Sequence, residues 1–340
     1  MKKLGLPRFR ARQVAEWLYK KRILSFDEMT NLPVGLRSEL KERFTLGRQE
    51  PARTRTSRDR TEKYLFRLDD GETVETVYIP AADGRATLCV SSEVGCKMAC
   101  RFCVTGSQGF GRGLKASEIL LQIYGCPHWE GLSNIVFMGQ GEPMDNIDEV
   151  LRAIHIVCAD YGMGWSPKRI TVSTIGQTEG LKRFLDESKC QLAVSLHFAD
   201  PEKRLKWMPS ERRWPMRETL RLLRHYDFCV RSEYGLRDEG SRQRRLSFEY
   251  ILFAGLNDGE KDAAGLARLL DGLDCRINLI NFHATAGAQK QGLKRASDAQ
   301  AQWFCDKLNS LGLHATVRVS RGEDIEAACG LLKAKQRRVE

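Results

Sequence analysis

From residue 86 onward, short apolar runs alternate with amphipathic helical stretches, and this alternation leaves the chain few architectures. The runs are ATLCVSS (86–92), NIVFMG (134–139), RITVS (169–173), QLAVSLH (191–197), LSFEYILF (246–253), RINLINF (276–282) and HATVRV (314–319). Between them, Ala116, Ile119, Leu120 and Ile123 share one helical face, as do Ala263, Leu266, Ala267 and Leu270. Strands separated by helices pair in parallel, because each helix returns the chain to the starting end of the sheet. The expected fold is α/β, with a parallel sheet that is open or closed into a full or partial (β/α) barrel. The first 80 residues follow another pattern. Val14, Trp17 and Leu18 repeat with helical spacing, and FDEMTNLP is a turn-rich break. Residues 62–80 alternate with period two around Asp70-Gly71, a hairpin signal. Two domains are expected: residues 1–80, helical with a hairpin, and residues 81–340, the barrel with a C-terminal extension. The polar segment 231–245 reads as an exposed loop.

A formal net charge of +11 favours a polyanionic partner, most often nucleic acid. The surplus gathers at Arg8, Arg10 and Arg12, at Arg48, Arg53, Arg55, Arg58 and Arg60, and at Lys333, Lys335, Arg337 and Arg338. A solvated basic face is the plainer reading. No stretch is long and apolar enough to cross a bilayer, and no apolar core follows the basic start, so a cytoplasmic protein is expected.

There are 11 cysteines, an odd number, which argues against a disulfide scaffold. Cys96, Cys100 and Cys103 form a C-x3-C-x2-C group in the loop after the first barrel-type strand. Three thiolates can hold three irons of a [4Fe–4S] cluster and leave the fourth iron open. A four-cysteine zinc site normally uses two C-x2-C pairs, and the chain has no second pair. Polar residues stand at the following strand ends: Gly141 and Glu142 in GQGEP, Ser173, then Ser195, Leu196 and His197 in SLH. Groups at successive strand ends converge on one ligand in barrels. Each alone has a plainer reading, as a turn residue or a satisfied structural histidine.

The cysteine spacing and its place after the first strand resemble the radical S-adenosylmethionine superfamily. In that superfamily the open iron chelates S-adenosylmethionine, and an electron from the cluster yields a 5′-deoxyadenosyl radical. The motifs ATLCVSSEVGCKMACRFCVTGSQGF, MGQGEP, TVST, AVSLH, FEYILFAGLND and RGEDIEAACG narrow the resemblance, as do FRARQVAEWLY…SFDEMTNLP and VETVYIP. In this order they are similar to the RlmN/Cfr family of radical S-adenosylmethionine RNA methyltransferases. The resemblance implies a partial barrel of the radical S-adenosylmethionine type. It implies two S-adenosylmethionine molecules per turnover, one methylating Cys329 and the second generating the radical that activates that methyl. The methylene then adds to an adenine carbon, most often carbon 2, of 23S ribosomal RNA and also of transfer RNA. Cys89 matches the cysteine that attacks the sulfur of Cys329, forms a disulfide and frees the product. Glu75 matches the proton acceptor, and on its strand it shares a face with Val77 and Ile79, where burial would raise its proton affinity. A cross-strand partner for an arginine is the plainer role for Glu75. A buried small hydrophobe is the plainer role for Cys89 and Cys329, and the assigned one for Cys126, Cys158, Cys190, Cys229, Cys275 and Cys305. A flavodoxin-type electron donor and a monomer are further expectations.

The chain departs from the family pattern at INFHATAG, where His283 stands in place of an asparagine that contacts S-adenosylmethionine. Carbon 8 of adenine or another RNA is the alternative target. A non-catalytic RNA-binding protein with a structural metal, and a radical enzyme with a small-molecule substrate, are readings from other classes.

Overall fold

The computed structural model describes residues 5–226, 231–232, 235–236, 244–283, 291–328 and 330–332. Cys329, Cys229 and most of the 231–245 segment lie outside them. One sheet dominates, with the spatial order β1-β2-β3-β4-β7-β8-β9-β12-β13-β14. Its strands are β1 (Arg53–Thr56), β2 (Glu62–Arg67), β3 (Thr73–Pro80), β4 (Ala86–Cys89), β7 (Asn134–Phe137), β8 (Ile170–Thr174), β9 (Gln191–Ser195), β12 (Leu246–Leu252), β13 (Cys275–Asn281) and β14 (His314–Arg318). Two small ribbons complete the set: β5 (Glu93–Gly95) with β6 (Phe110–Gly113), and β10 (Arg231–Ser232) with β11 (Gly235–Leu236).

From β4 to β14 every pairing is parallel. Each new strand joins the growing edge, so the order never reverses. Crossovers of one hand then put their helices on one face, and the sheet curls with the other face inward. The sheet stays open, with β1 and β14 as its edges among the described residues. The helices Ala116–Tyr124, Ile147–Cys158, Thr178–Glu187, Met216–Arg224, Glu260–Leu269 and Asp298–Ser310 alternate with these strands. Their apolar faces enter one continuous core with Leu88, Ile135, Val172, Val194, Phe248, Ile277 and Leu279 from the outer face of the sheet. No helix among the described residues is long and apolar enough to cross a membrane.

The hairpin expected around Asp70-Gly71 is present. Gly71 adopts φ +84 there, a left-handed value that favours glycine. The hairpin does not stand apart from the barrel: β3 pairs antiparallel with β4, which makes β1–β3 an extension of the main sheet. The helical part of the N-terminus has its own small core of Val14, Ile23, Phe26, Met29, Leu32 and Leu40. FDEMTNLP breaks the helices as expected. Ser25 caps a short turn by accepting from Asp27 N–H, and Glu28 reaches back to the Ser25 N–H at 2.8 Å.

Candidate active site at the carboxyl ends of the strands

Register decides which residues share the inner face. Lys63 lies opposite Val77, and Val77 lies opposite Cys89. Cys89 lies beside Val136, and Val136 beside Thr171. Glu75 is two residues from Val77, so it points the same way. Ser173 follows Thr171 by two and lies beside Ala193, two before Ser195. Ser195 lies beside Glu249, and Glu249 beside Asn278. The sheet thus carries Glu75, Cys89, Ser173, Ser195, Glu249 and Asn278 on one side. Glu75 and Cys89 are diagonal neighbours, with Cα atoms about 7–8 Å apart.

The cysteine loop closes the carboxyl end of this face. Cys96 N–H donates to Gly109 O at 2.9 Å, Cys103 N–H to Cys100 O at 3.1 Å, and Arg101 N–H to Trp207 O at 2.9 Å. Phe102 meets the His197 ring edge to face, with centroids 5.2 Å apart, and Phe253 at 5.4 Å. Met98, Cys100, Phe198, Trp207, Met208 and Phe282 pack in the same cluster. Burial pushes the thiols of Cys96, Cys100 and Cys103 up, Cys100 to about 12. Such thiols ionise only beside positive charge, and bound iron supplies it. Among the described residues no three His, Cys, Asp or Glu side chains close around a single ion. Thiolates on a cubane each bind a different iron, so they do not need one common point. The donor set fits a [4Fe–4S] cluster: three cysteines in one loop, Cys100 buried and Cys96 and Cys103 half-buried, at the end of the sheet where ligands collect.

The strand ends are held by polar groups. Gly141 has φ +100, and a Cβ there would sit 2.6 Å from Cβ and Cγ of Glu93. Glu142 is buried, and its carboxylate accepts from Ile175 N–H at 2.9 Å and Met144 N–H at 3.2 Å. Burial raises it to about 7. Ser173 and Ser195 are half-buried at the ends of β8 and β9, and Leu196 is buried. His197 adopts φ +55. Its Nδ1 accepts from Ile251 N–H at 3.1 Å, which leaves the proton on Nε2. Burial, then the nearby Arg204 charge, pushes His197 down to about 3, so the ring is neutral. His283 hydrogen-bonds Ser320 Oγ through Nε2 at 2.7 Å, and its Nδ1 lies 3.7 Å from Glu323. Its ring therefore addresses the C-terminal segment. Burial lowers its proton affinity, against the pull of Glu323.

Residues 322–328 and 330–332 roof the inner face. Ile325, Ala327 and Leu332 pack with Val77, Cys89, Ile79, Val136 and Met138. On one side the hairpin holds them. Asp59 accepts from Gly322 N–H at 3.0 Å, and Asp324 accepts from Ser57 Oγ at 2.5 Å and Arg58 N–H at 3.2 Å. On the other side they are tied to the cysteine loop. Val104 N–H donates to Gly330 O at 2.8 Å and Thr105 Oγ1 to Leu332 O at 3.0 Å. Gly330, the neighbour of Cys329, thus stands against the residue that follows Cys103. The Glu75 carboxylate pairs with Lys63, Nζ to Oε1 3.1 Å, with side chains 9% and 5% exposed.

Three buried groups were not anticipated. Arg204 is 0% exposed, pairs with Glu211, and donates to Ile175 O at 2.8 Å and to Leu196 O and Ser195 O at 3.2 Å. Asn257 donates to His197 O and Ile251 O, both at 2.7 Å, and joins the ends of β9 and β12. Glu249 accepts from Asn278 at 2.7 Å and Ser247 at 3.0 Å. Of the cysteines given a packing role, Cys126, Cys190, Cys275 and Cys305 are buried, and Cys158 is half-buried.

An open parallel sheet, a three-cysteine loop at its carboxyl end and an inner face of polar strand-end residues define a radical S-adenosylmethionine enzyme. Residues 90–263 match the Radical SAM superfamily, and residues 1–46 match the ribosomal RNA large subunit methyltransferase N-terminal domain. A probable dual-specificity RNA methyltransferase RlmN of Bacteroides fragilis is 52% identical over 336 residues, covering 98% of this chain and 93% of that protein. The dual-specificity RNA methyltransferase RlmN of Syntrophotalea carbinolica is 39% identical, covering 98% of this chain and 85% of that protein. The crystal structure of a radical SAM methyltransferase from Sphaerobacter thermophilus superposes with a TM-score of 0.87 at 39% identity, covering 98% and 95% of the two chains. The chain belongs to the RlmN family of radical S-adenosylmethionine RNA methyltransferases.

Proposed function

We propose that this enzyme methylates carbon 2 of an adenine in 23S ribosomal RNA and in transfer RNA, with Cys329 as the methyl carrier. The dual specificity of the named relatives supports the choice of RNAs. The observation that carries the reading is the shared face of Glu75 and Cys89 under residues 322–328 and 330–332, which are themselves tied to the cysteine loop.

Cys96, Cys100 and Cys103 would hold the cluster. Gly141, Glu142, Ser173, Ser195, Leu196, His197 and His283 would line the S-adenosylmethionine site. When bound, the two groups supply one-electron chemistry able to activate an unreactive methyl group. Glu75, as a carboxylate, takes the proton from the substituted adenine carbon, and the electron lost with it would return to the one-electron group held by the three cysteines. The Cys89 thiolate then attacks Sγ of Cys329. An S–S bond forms, the S–C bond breaks, and the electron pair stays on carbon, which takes a proton to become methyl. An external thiol reductant resets the disulfide. A flavodoxin-type protein is the proposed electron donor. Exposed arginines on the edge strand β1, Arg53 and Arg55, supply phosphate contacts that weaken with salt.

Mass spectrometry of RNA and protein after turnover tests this reading. Cys329→Ala should yield no methylated adenine, and Cys89→Ala should trap a covalent protein–RNA adduct. Normal product from Cys329→Ala, or clean turnover by Cys89→Ala, overturns it.

A further inference from the structure

We propose that Lys63 is a positioning residue that holds Glu75 ionised and at the same time fixes the backbone of residues 322–328 above it. The inference rests on the reading of Glu75 as the proton acceptor and goes beyond it.

A lysine on the inner face of a sheet is costly unless its charge is matched. Lys63 is buried, and its ammonium makes two observed contacts. One is Oε1 of Glu75 at 3.1 Å. The other is the carbonyl of Glu326 at 3.1 Å. The register explains the first. Lys63 lies opposite Val77 and Leu65 lies opposite Glu75, so lysine and glutamate are diagonal neighbours within reach of a long side chain. The second is an independent sign. Glu326 adopts φ +55, a left-handed conformation that costs a residue with a Cβ about 1 kcal/mol or more. Such strain persists where surrounding contacts over-determine it, and it clusters at functional sites. Here the Lys63 ammonium grips the carbonyl of the strained residue, three positions before Cys329.

One side chain thereby joins two requirements. Burial favours the neutral acid, which cannot accept a proton, and a cation within hydrogen-bond distance favours the carboxylate. Among the described residues, the charged and titratable groups on this side of the sheet beside Glu75 are Lys63 and Arg67 from β2, its two diagonal neighbours there, and Cys89 from β4, below the roofing segment; the ion pair is made by Lys63. The roof presents the Glu326 carbonyl to Lys63. The Glu75 backbone is fixed separately. Its carbonyl accepts from Ser91 Oγ at 2.7 Å, and its N–H donates to Gln140 Oε1 at 3.4 Å. Lys63 therefore sets the charge and aim of the carboxylate, while strand pairing sets its place. When Glu75 takes a proton, the ion pair is lost and only the Glu326 contact remains. Proton transfer and the hold on the carrier segment are coupled through this ammonium.

The experiment compares Lys63→Met, Lys63→Arg and Glu75→Gln in the full chain with reconstituted cluster. Methyl transfer is followed from pH 6 to 9.5, and amide exchange of residues 322–328 is followed in the protein alone. Lys63→Met should lower transfer at least about tenfold at pH 7. The acid limb of its pH profile should move up by about 1–3 units, so activity returns as pH rises. Exchange in 322–328 should quicken. Lys63→Arg should keep the parental limb. Structural damage would not be reversed by alkaline pH. If Lys63→Met does not fold, Lys63→Gln removes the charge and keeps a donor, and its limb should still shift. A parental pH profile in the uncharged variant, with Glu75→Gln inactive, overturns the role of Lys63 and leaves Glu75 as the base. Full transfer by Glu75→Gln overturns the base assignment itself.

Discussion

Arg204 offers the sharpest test of how the strand ends are held. Replacement by Met keeps most of the side-chain volume and removes the guanidinium. Three carbonyls, of Ile175, Ser195 and Leu196, then lose a buried donor. At the low end each unsatisfied acceptor costs about 1 kcal/mol. Glu211 is left charged and 7% exposed. Breaking a buried pair by removing one partner costs about 3–5 kcal/mol. That figure is reduced here, because Met216 N–H still donates to both Glu211 oxygens, at 3.1 and 3.0 Å. The combined loss is about 5 kcal/mol, comparable with the whole stability of a marginal domain. Arg204→Lys keeps the charge and loses the fork, so it should cost roughly half as much. Adding Glu211→Gln to Arg204→Met removes the stranded charge and should recover about 1–2 kcal/mol. Urea unfolding followed by far-ultraviolet circular dichroism reads all four proteins. The carbonyls concerned lie beside the proposed S-adenosylmethionine residues, so equilibrium dialysis of that ligand should show weaker binding in Arg204→Lys at urea concentrations where the fold is intact. An Arg204→Met protein within about 1 kcal/mol of the parent refutes the reasoning, as does a double variant no more stable than the single one.

Two further outcomes follow from the same region. Gly141→Ala forces a Cβ to 2.6 Å from Glu93 and 2.8 Å from Ser92 Oγ at φ +100. It should cost about 2–4 kcal/mol, from overpacking together with backbone strain. Gly164→Ala, also at positive φ but with nothing within 4 Å, should show the backbone part alone in the same urea series. His197 sits at about 3 in the folded protein, below its ordinary 6.5. Below pH 6.5 the unfolded chain binds a proton that the folded one does not. Stability should therefore fall by about 1.4 kcal/mol per unit as pH drops from 6.5 toward 3, and show no such contribution above 6.5. His197→Gln should flatten that slope between pH 6.5 and 5, and imidazole carbon shifts of the parent should show no His197 titration over that range.

The alternation of strands and helices is legible because periods of 2 and 3.6 are local properties of the chain. The hairpin is legible because Asp70-Gly71 demands a turn. What local pattern does not carry is pairing. Period two marks residues 62–80 and 86–92 as strands without saying that Pro80 comes to lie opposite Ala86, and that pairing merges the hairpin with the barrel sheet. The same limit hides the partner of Glu75. A cross-strand arginine is one sequence-level role for it. The cation is Lys63, one of two basic diagonal neighbours that register gives on β2, the other being Arg67. Arg204 and Glu211 are hidden for another reason. In EKRLKWMPSERRWP they stand among other charges, and a buried arginine has the same letter as an exposed one.

The inner face was written in the sequence in a form that is easy to misread. ATLCVSS, RITVS, QLAVSLH and LSFEYILF look like continuous apolar runs, as strands covered on both sides should. Taken at alternate positions they divide. Leu88, Val172, Val194 and Phe248 enter the helix-covered core. Cys89, Ser173, Ser195 and Glu249 are their next neighbours and fall on the other side. A carboxylate in the middle of β12, a strand buried along its whole length, is the strongest of these signals. Glu249 stays there because Asn278 and Ser247 hydrogen-bond it. An inner face meant only for packing would have no use for that cost. Polar residues recurring on the inner face of several successive parallel strands therefore mark a face used for more than packing, and the cysteine loop stands at its carboxyl end.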